Sequence, residues 1–409
     1  MFTAEDHLHM SRALQLAALG MRTTSPNPRV GCVIVNQGRI VGEGWHVAAG
    51  TPHAEPHALA QAGELARGAT AYVTLEPCSH HGRTPPCADA LVGAGLARVV
   101  VATTDPNPLV AGQGMARLRA AGILAESGLM EAEALALNRG FMSRMTRGRP
   151  WITVKLGMSL DGKTALDDGR SQWITGPAAR RDVMRLRAES CAILTGSGTV
   201  MADDPQLTVR GIDPLLPPAD CMSPAAALMR EQPPRRPLRA VVDSRLATSP
   251  VRTIYLNGGV RLYTCVSEGA RHAPYIGHGN LVRVVPALNG RVDLPAIVAD
   301  LGLQGCNNLL VEAGMGLAGA VLRAGLLDEL VCYVAPAIIG HQALGAFNLP
   351  PLASLDDKVR LAWHDVRPVG DDLADPAPGA LTAEAGAHRA LARQPVGAIV
   401  RASCLPDIT

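Results

Sequence analysis

The sequence predicts a two-domain protein of the α/β class, from its length and from two stretches in which strand and helix patterns alternate. Its 409 residues are too many for one ordinary core, since domains of roughly 150–200 residues are typical. The alternation covers residues 1–147 and resumes over 148–370, whereas 371–409 are rich in alanine and proline. We therefore expect one domain in each of the first two ranges and an atypical C-terminal tail in the third.

The first domain opens with a helical pattern over residues 10–20 that ends at a glycine. Two apolar runs around N-Q-G, within residues 30–46, then give a β-hairpin signal. The next helical pattern, 56–66, has a proline in its first turn, where the missing N–H costs nothing. Strand, helix and strand patterns follow up to residue 103. This alternation predicts a three-layer α/β/α sandwich.

The second domain shows a first strand pattern from residue 151 and helical patterns at 177–189 and 316–325. Further strand patterns lie at 191–196, 239–244, 307–312 and 329–336. Residues 211–237 are rich in proline and predict an irregular surface insertion. The dense basic run at 144–149 is broken by glycine, which favours a linker between the domains.

Composition excludes several classes of function. The formal net charge is +2 and only 12 residues are aromatic, which does not favour nucleic acid as a partner. The N-terminus lacks the features of a signal peptide, and no apolar run approaches the roughly 20 residues of a membrane span. Nine scattered cysteines do not form a disulfide framework. We expect a cytoplasmic protein with reduced thiols and no membrane partner.

A dense group of histidines, cysteines and glutamates over residues 51–87 predicts a zinc centre. Catalytic zinc takes three His, Cys or carboxylate ligands and keeps one position open for water. His53, Cys78 and Cys87 supply such a set, and Glu55 follows His53 in an H-x-E motif. A glutamate there can take a proton from the water and return it to a leaving amine. H-x-E followed by P-C and a second cysteine is the arrangement of zinc nucleobase deaminases.

A metalloprotease and a structural zinc site fit this group less well. A metalloprotease motif needs glutamate directly after its first histidine, and Glu55 lies one residue further on. A structural zinc would need a fourth ligand, His57 or His80, but it would have no use for Glu55. We expect no role in the site for His57, His81 or Glu76.

Eight residues separate the two cysteines, where nucleic-acid and nucleoside deaminases usually have two. With this loop, the chain closely resembles the bifunctional riboflavin-biosynthesis deaminase–reductases. The motifs that carry the resemblance in the first domain are T-T-S-P-N-P-R-V-G-C-V-I-V, P-H-A-E-P-H-A-L, Y-V-T-L-E-P-C-S-H-H-G-R-T-P-P-C and D-P-N-P-L-V-A-G-Q-G. Those in the second are K-L-G-M-S-L-D-G-K-T-A, S-Q-W-I-T-G, A-D-D-P-Q-L-T-V-R and V-E-A-G. The resemblance covers roughly residues 5–370.

For the first domain the resemblance implies a cytidine-deaminase-like fold with one zinc ion. It implies hydrolysis of the 2-amino group of a 2,5-diamino-6-ribosylamino-pyrimidinone 5′-phosphate to give the aminouracil ribotide. Glu55 would be the catalytic residue, and Asn27, His80 and Arg83 would contact this small-molecule substrate. Asn27 also lies in P-N-P, a strong turn signal by itself. Arg83 suits a phosphorylated ligand, because guanidinium pairs well with phosphate.

Gly314, Gly316 and Gly319 spell G-x-G-x-x-G between a strand and a helix pattern, a weak dinucleotide signal. A Rossmann fold also needs an acid at the end of the next strand, and here Asp328 and Glu329 lie at the beginning of that strand instead. The Rossmann interpretation is therefore disfavoured.

The resemblance instead implies a dihydrofolate-reductase-like domain that uses NADPH to reduce the ribosyl group to ribityl. The cofactor would be held by Gly157, Trp173, Thr199, Asp203, Ser244, Gly314, Met315, Gly316, Leu317, Ala318, Gly319 and Ala320. The substrate would be held by Ser171, Arg187, Leu207, Arg210 and Glu312, with the two arginines as phosphate clamps. Lys155, inside an apolar strand pattern, is a further candidate for that site. A solvated helix face for Arg187 and an outward-facing strand position for Lys155 are equally compatible with the sequence.

The tail departs from the family pattern. Family members usually continue with an alternating apolar strand after V-G-D-D-L, but here Asp371 is followed by D-L-A-D-P-A-P-G-A. Prolines are poorly tolerated in a central strand, so we expect either a dispensable edge or an incomplete reductase sheet.

Three further functions compete with the bifunctional enzyme. An incomplete sheet would leave a working deaminase beside an impaired reductase. A nucleic-acid deaminase fused to an unrelated domain is disfavoured by the charge and the few aromatic residues. A non-enzymatic zinc module is disfavoured by Glu55. The resemblance also implies a homodimer or tetramer.

Overall fold

The computed structural model of the chain describes residues 1–79, 86–107, 111–233, 235–370 and 397–404. Its helices and strands form two successive groups, each built on one large sheet. Within these residues, no helix combines the length and apolarity needed to cross a membrane.

The first group contains a five-stranded mixed sheet in the order β2-β1-β3-β4-β5. Its strands are β1 (Gly31–Asn36), β2 (Arg39–Trp45), β3 (Thr70–Val73), β4 (Arg98–Val101) and β5 (Leu124–Ser127). Strand β1 is antiparallel to β2 and β3, and the pairs β3–β4 and β4–β5 are parallel. The helices are α1 (Ala4–Leu19), α2 (Ala54–Ala62), α3 (Cys87–Gly93), α4 (Gln113–Ala120), α5 (Glu131–Leu137) and α6 (Arg139–Arg147), with 3-10 turns at Gly20–Arg22 and Gly63–Ala66.

Helices cover both faces of this sheet, because successive strand side chains point to opposite sides. Ile34 and Val73 belong to a buried cluster that includes residues of α2, α3 and α4. Val33 and Tyr72, their sequence neighbours, pack in a second cluster with residues of α1 and α5. The predicted three-layer sandwich is therefore present.

The second group contains a nine-stranded sheet in the order β11-β10-β9-β8-β14-β6-β15-β18-β17. Four further strands of this group form two small two-stranded sheets, β16-β7 and β12-β13. The strands of the whole group are β6 (Trp151–Ser159), β7 (Lys163–Ala165), β8 (Ala192–Gly196), β9 (Leu238–Val242), β10 (Val260–Thr264), β11 (Leu281–Val284), β12 (Ala287–Leu288), β13 (Arg291–Val292), β14 (Asn308–Glu312), β15 (Glu329–Ala335), β16 (Leu344–Gly345), β17 (Leu361–Val369) and β18 (Gly397–Cys404). The helices are α7 (Pro177–Glu189), α8 (Ser197–Asp203), α9 (Pro224–Glu231), α10 (Thr253–Leu256), α11 (Gly269–Gly277), α12 (Leu294–Leu303) and α13 (Met315–Arg323), with a 3-10 turn at Leu355–Asp357.

Both faces of the larger sheet are again buried. Leu194 and Val311 pack with residues of α12 and α13, whereas Ile193 and Leu310 pack with residues of α7, α10 and α11. From β11 across to β15 every neighbouring pair of strands is parallel, and β18 then runs antiparallel to both β15 and β17. The carboxyl ends of the parallel strands thus meet at one edge.

Of the two outcomes expected for the tail, a dispensable edge or an incomplete sheet, the incomplete sheet is wrong, and so is the placement of all of 371–409 outside the domain. Residues 397–404 form β18, which lies between β15 and β17 and pairs with both. Ile399 on this strand is fully buried and packs with Tyr333 and Val331. The prolines that argued against a strand precede this segment in the sequence, so the strand is displaced along the chain and is not lost.

The expectation of an irregular surface insertion over 211–237 was also wrong in part. This segment contains α9, whose first turn carries Pro224 and whose N-cap Ser223 accepts a hydrogen bond from the Ala226 amide at 3.2 Å. Ala225 and Met229 are buried in the same cluster as residues of α1. A helix of the second domain's sequence therefore packs on the first domain.

Candidate active sites

Three sequence-distant side chains meet at one end of the first sheet. His53 caps the N-terminus of α2, Cys87 begins α3, and Cys78 lies in the loop after β3. Their ligand atoms all lie within 4.8 Å of one another. His53 Nδ1 is 3.3 Å from Cys87 Sγ and 3.7 Å from Cys78 Sγ. This confirms that the fold brings the three predicted metal ligands together.

The donor chemistry of this cluster suits zinc, which binds imidazole nitrogen and thiolate sulfur in tetrahedral sites. Hydrogen bonds from Cys87 and His53 lower the pKa of Cys78, so its thiolate forms readily. The Cys87 amide also donates to Cys78 Sγ at 3.3 Å. Bonding to Cys78 and burial raise the pKa of Cys87, as expected of two adjacent thiols that share one proton. A divalent cation fits between the two sulfurs, because its positive charge would take the place of the proton that the two thiols share.

Glu55 lies in the first turn of α2 beside the cluster and is 3% exposed. Burial raises the pKa of its carboxyl group, a change that the charge of His53 opposes. Its Oε2 atom has no hydrogen-bond partner among the described residues. An unpaired buried acceptor is costly unless a ligand satisfies it. The carboxylate is thus available to a water or substrate atom at the metal position.

His57 is buried but is not part of the ligand group within the described residues. It packs close to β2, where a Cβ on Gly44 would stand 2.7 Å from the His57 Cβ. Burial lowers its pKa. His57 is thus a packed helix histidine, and its lack of a ligand role stays a prediction. His80, His81 and Arg83 lie outside the described residues.

Asn27 lies in the turn before β1 and is joined to the site by a histidine that sequence reasoning missed. Asn27 Nδ2 lies 3.0 Å from His46 Nε2, and His46 Nδ1 lies 3.0 Å from the Pro52 carbonyl. Burial lowers the pKa of His46 to about 4. The neutral ring donates from Nδ1 and accepts from Asn27. His46 also stacks edge-on against His53, with ring centroids 5.3 Å apart.

Glu76 has a structural role that the sequence did not indicate. Its carboxylate accepts hydrogen bonds from four backbone amides, those of Asp105, Gly112, Gly114 and Met115, at 2.9–3.2 Å. Two of them belong to the first turn of α4, where a negative charge is favoured. Glu76 thereby ties α4 to the segment that carries Cys78.

The second candidate site is a cavity of about 1410 Å³ at the carboxyl ends of the parallel strands. This exceeds the 300–1,000 Å³ of common small-molecule pockets, so a dinucleotide and a second ligand have room. Nearly all residues proposed for the reductase line it: Lys155, Gly157, Ser171, Trp173, Arg187, Thr199, Asp203, Leu207, Arg210, Ser244, Glu312, Gly314, Met315, Gly316, Leu317 and Ala320.

Two members of the proposed cofactor loop do not line this cavity. Ala318 is fully buried in the core cluster beneath α13. Gly319 faces the backbone of Asn348, since a Cβ on it would lie 2.3 Å from the Asn348 carbonyl oxygen. The helix begins at Met315 with Gly314 as its N-cap, so these positions, one turn on, point away from the cavity. The backbone amides of a helix N-terminus suit a phosphate group.

Arg187 is neither solvent-exposed nor free to clamp phosphate with its whole guanidinium group. Its Nε and Nη2 donate to the Glu312 carboxylate at 2.5 and 2.9 Å, and Nη1 donates to the Thr208 carbonyl at 3.0 Å. Burial alone would raise the pKa of Glu312, but Arg187, with help from Lys155, lowers it. Burial lowers the pKa of Lys155 in turn. The three groups form a buried polar floor to the cavity.

Further contacts lie along the wall of the cavity. Ser171 Oγ donates to Asp203 at 3.0 Å, and the Gly314 amide donates to Thr199 Oγ1 at 3.4 Å. Trp173 is 69% exposed, and the guanidinium of Arg180 lies 4.5 Å from its ring. Arg180 was missed because nothing in the sequence distinguishes it from neighbouring helix arginines.

Comparison with known proteins decides the family. Two family models match, one described as the cytidine and deoxycytidylate deaminase zinc-binding region, over 3–103, and one as the RibD C-terminal domain, over 150–374. Riboflavin biosynthesis protein RibD of Escherichia coli K12 is 52% identical over 371 residues, which cover 90% of this chain and 98% of the relative. This chain belongs to the RibD family.

Other RibD proteins are also similar to this chain over nearly its whole length. The Haemophilus influenzae protein is 44% identical over 91% of this chain and 97% of its own. The structure of RibD from Acinetobacter baumannii, form 2, superposes with a TM-score of 0.80 at 37% identity, over 98% of this chain and 99% of that one. A deaminase/reductase structure from Thermotoga maritima gives 0.77 at 29% identity, with the same two coverages.

Membership of the RibD family makes the chain a bifunctional deaminase–reductase of riboflavin biosynthesis. The first domain has the cytidine-deaminase-like fold and is a zinc enzyme, and the second has the dihydrofolate-reductase-like fold and uses NADPH. Both fold predictions and both cofactor predictions are confirmed.

Proposed function

We propose that the first site hydrolyses the 2-amino group of 2,5-diamino-6-(5-phosphoribosylamino)pyrimidin-4(3H)-one, and that the second reduces the ribosyl group of the product. The observation that carries the first step is the buried Glu55 carboxylate beside the His53, Cys78 and Cys87 cluster, whose Oε2 has no hydrogen-bond partner among the described residues. Water and the ring carbon C2, which bears this amine, form a new C–O bond, and the bond from C2 to the 2-amino nitrogen breaks to release ammonia. The domain boundary is proposed at about residue 148, where Gly148 ends α6.

In this mechanism His53, Cys78 and Cys87 would hold zinc, which would make the attacking water more acidic. Glu55 takes the proton from that water and returns it to the departing amine, a use of the carboxylate to which its raised pKa is suited. Asn27, held by neutral His46, contacts the pyrimidine. His80 and Arg83 are proposed to contact the ribotide.

The second step would take place in the large cavity, where bound NADPH would supply a hydride for C1′ of the ribosyl group while the C1′–O4′ ring bond opens and its oxygen takes a proton from solvent. The N-terminus of α13, at Gly314, offers backbone amides to the cofactor's phosphates. Lys155, Arg187 and Glu312 orient the substrate from the cavity floor. The protein's contribution is to hold the two reactants in register.

We further propose a cytoplasmic homo-oligomer without nucleic-acid or membrane partners. All nine cysteines are free thiols, as is expected of a protein in a reducing compartment. Cys78 and Cys87 thereby remain available as thiolate ligands. Strand β17 lies at the end of the nine-stranded sheet and exposes the large apolar side chain of Trp363. Such an apolar group on an edge strand favours association with a second copy. Light scattering during size-exclusion chromatography measures this, and a strictly monomeric species would contradict it.

The test of the deaminase site is Glu55→Gln in the full chain. Removing the proton carrier while keeping its shape should lower ammonia release by about 10²–10⁴-fold. Zinc content should stay the same, because Glu55 is not a ligand. Reduction of added aminouracil ribotide by NADPH should also be unchanged. Glu64→Gln, at an exposed position after α2, is the matched control. Unimpaired ammonia release in Glu55→Gln would overturn the mechanism.

A further inference from the structure

The turn that carries Asn27 is held by a residue of the other domain. The Asn27 amide donates to the Thr24 carbonyl at 2.9 Å and closes the turn. The Pro26 carbonyl within it accepts two hydrogen bonds, from Arg144 Nη2 at 2.9 Å and from Asn307 Nδ2 at 3.1 Å. Asn307 directly precedes β14 in the reductase sheet. One backbone oxygen of the deaminase site is thus tied from across the domain interface.

The Asn307 side chain has no freedom to give up this contact. The residue is 2% exposed, and its Oδ1 accepts from Arg144 Nε at 2.7 Å. Its own backbone is fixed as well, since its carbonyl accepts from the Trp151 amide at 2.9 Å. An amide side chain uses both a donor and an acceptor here. Neither alanine nor aspartate could make both bonds.

The interface around the turn is also close-packed. A Cβ on Gly305, where φ is +82°, would stand 2.8 Å from the Pro26 Cβ. A Cβ on Gly140 would stand 2.1 Å from Asn308 Oδ1 and 2.5 Å from the Asn307 carbonyl oxygen. A side chain at either glycine would collide with the facing surface. The Pro26 ring in the turn therefore packs directly on the segment that leads into β14.

The held oxygen controls the orientation of Asn27 through the planarity of the peptide group. The Pro26 carbonyl and the Asn27 amide belong to one rigid peptide plane. Two hydrogen bonds to the carbonyl fix that plane from one side, and the bond to Thr24 fixes it from the other. The Asn27 side chain, which leaves this plane one bond further on, reaches His46 beside the zinc ligand His53.

We propose that Asn307 is a positioning residue of the deaminase reaction. Together with Arg144 it fixes the Pro26–Asn27 peptide, and so sets the pose in which Asn27 meets the pyrimidine. The deaminase site is in this sense completed by the reductase domain. This inference rests on the proposed substrate contact of Asn27.

Asn307→Ala in the full chain tests it. The KM for the diaminopyrimidinone ribotide, followed by ammonia release, should rise about 3- to 10-fold, the range of one net hydrogen bond. Zinc content and the KM for NADPH in the reductase assay should not change. Asn307→Asp keeps the shape of the side chain and the contact to Arg144 but loses the donor to the Pro26 carbonyl, so it should raise the same KM. This second variant keeps the test valid if the alanine variant folds poorly.

Arg139→Gln is the matched control, because it breaks a different interdomain contact, the ion pair of Arg139 with Glu329 at 2.9 Å. It should leave the deaminase KM unchanged. An equal rise in this control would mean that only general interface integrity matters, and would overturn the proposal. So would an unchanged KM in both Asn307 variants.

The double variant Asn27→Ala with Asn307→Ala separates this inference from the proposed function. If Asn307 acts through Asn27, its substitution should add nothing to the KM effect of Asn27→Ala. A further rise of about 3- to 10-fold, the size of one hydrogen bond, would overturn the positioning role while leaving Asn27 as a substrate contact. An unchanged KM in Asn27→Ala alone would instead remove the substrate contact on which the proposal rests.

Discussion

At the scale of single residues, buried carboxylates with full sets of donors fix the loops of the deaminase domain. Glu76 accepts four backbone amides and joins the segment before Cys78 to the start of α4. The contact leaves no room for a side chain at Gly114, where a Cβ would lie 2.1 Å from the Pro77 carbonyl oxygen. A charge with this many donors is worth more to stability than an ordinary surface pair.

Glu76→Gln should therefore lower the free energy of unfolding of the deaminase domain by about 2–3 kcal/mol. The substitution replaces one carboxylate oxygen by an NH2 group, which would face backbone N–H donors. Urea unfolding of the zinc-loaded protein measures this. Glu126→Gln is the control: its partner Arg98 keeps Asp6, and Glu126 is 33% exposed. That change should cost less than about 1 kcal/mol. Equal effects of the two substitutions would contradict the role of Glu76.

Asp6 gives the first domain a specific dependence on acid. Burial alone would raise the pKa of its carboxyl group, but hydrogen bonds from Arg98, Thr3 and Tyr72 outweigh this and lower it below the ordinary 3.8. The contact therefore stabilises the fold fully at pH values above the ordinary pKa and is lost as the pH falls further, because the unfolded state then binds a proton that the folded state resists.

The difference in unfolding free energy between the wild type and Asp6→Asn should thus be constant from about pH 7 to 5 and shrink below about pH 4. Urea midpoints at several pH values measure it. Asp89→Asn, which removes an exposed pair with Arg117, should show almost no difference at any pH. A difference for Asp6→Asn that grows on acidification would contradict the assignment.

The residues that could be predicted from the sequence are those with a spacing rule. His53, Glu55, Cys78 and Cys87 followed from zinc chemistry and a short motif. His46, Glu76 and Asn307 did not, because each acts through a contact between distant segments. Asn307, for example, lies 281 positions from the Pro26 carbonyl that it holds. Of these, only His46 had a signal, its place at the end of the hairpin next to the zinc motif.

At the scale of elements, β18 completes the reductase sheet from an unexpected place in the chain. It pairs along its length with β15 and with β17, and so separates β17 from the rest of the sheet. Its alternating segment G-A-I-V-R-A-S-C is present in the sequence. Residues 371–396 separate this segment from β17, so the sequence did not predict that the two strands pair. Pairing across such an interval has no local signature.

Ile399→Ala should destabilise the reductase domain by about 2–4 kcal/mol, because the side chain is fully buried between the sheet and its helices. Chemical unfolding followed by loss of NADPH binding measures this. Val366→Ala on β17, where the side chain is 65% exposed, should have little effect. If the two variants unfold alike, β18 is not part of the stable sheet.

At the scale of the whole molecule, the two domains are joined by contacts more specific than the basic run 144–149 suggested. Arg147 and Arg149 both bind Asp328 at the start of the β15 segment, at 2.7 and 2.6 Å. Arg144 reaches Asn307 and the Pro26 carbonyl. The predicted linker therefore also holds the domains together. The two sites belong to different domains and act in sequence on one ribotide.

The measurement that tests this sequence of reactions most directly adds the diaminopyrimidinone ribotide to the purified, zinc-loaded protein with NADPH, and follows ammonia and NADPH in the same tube. If both domains work in order, ammonia is released first and one NADPH is then oxidised per ammonia. The Glu55→Gln variant should show no NADPH oxidation. Ammonia without NADPH oxidation would contradict the bifunctional assignment and leave a deaminase joined to an inactive reductase domain.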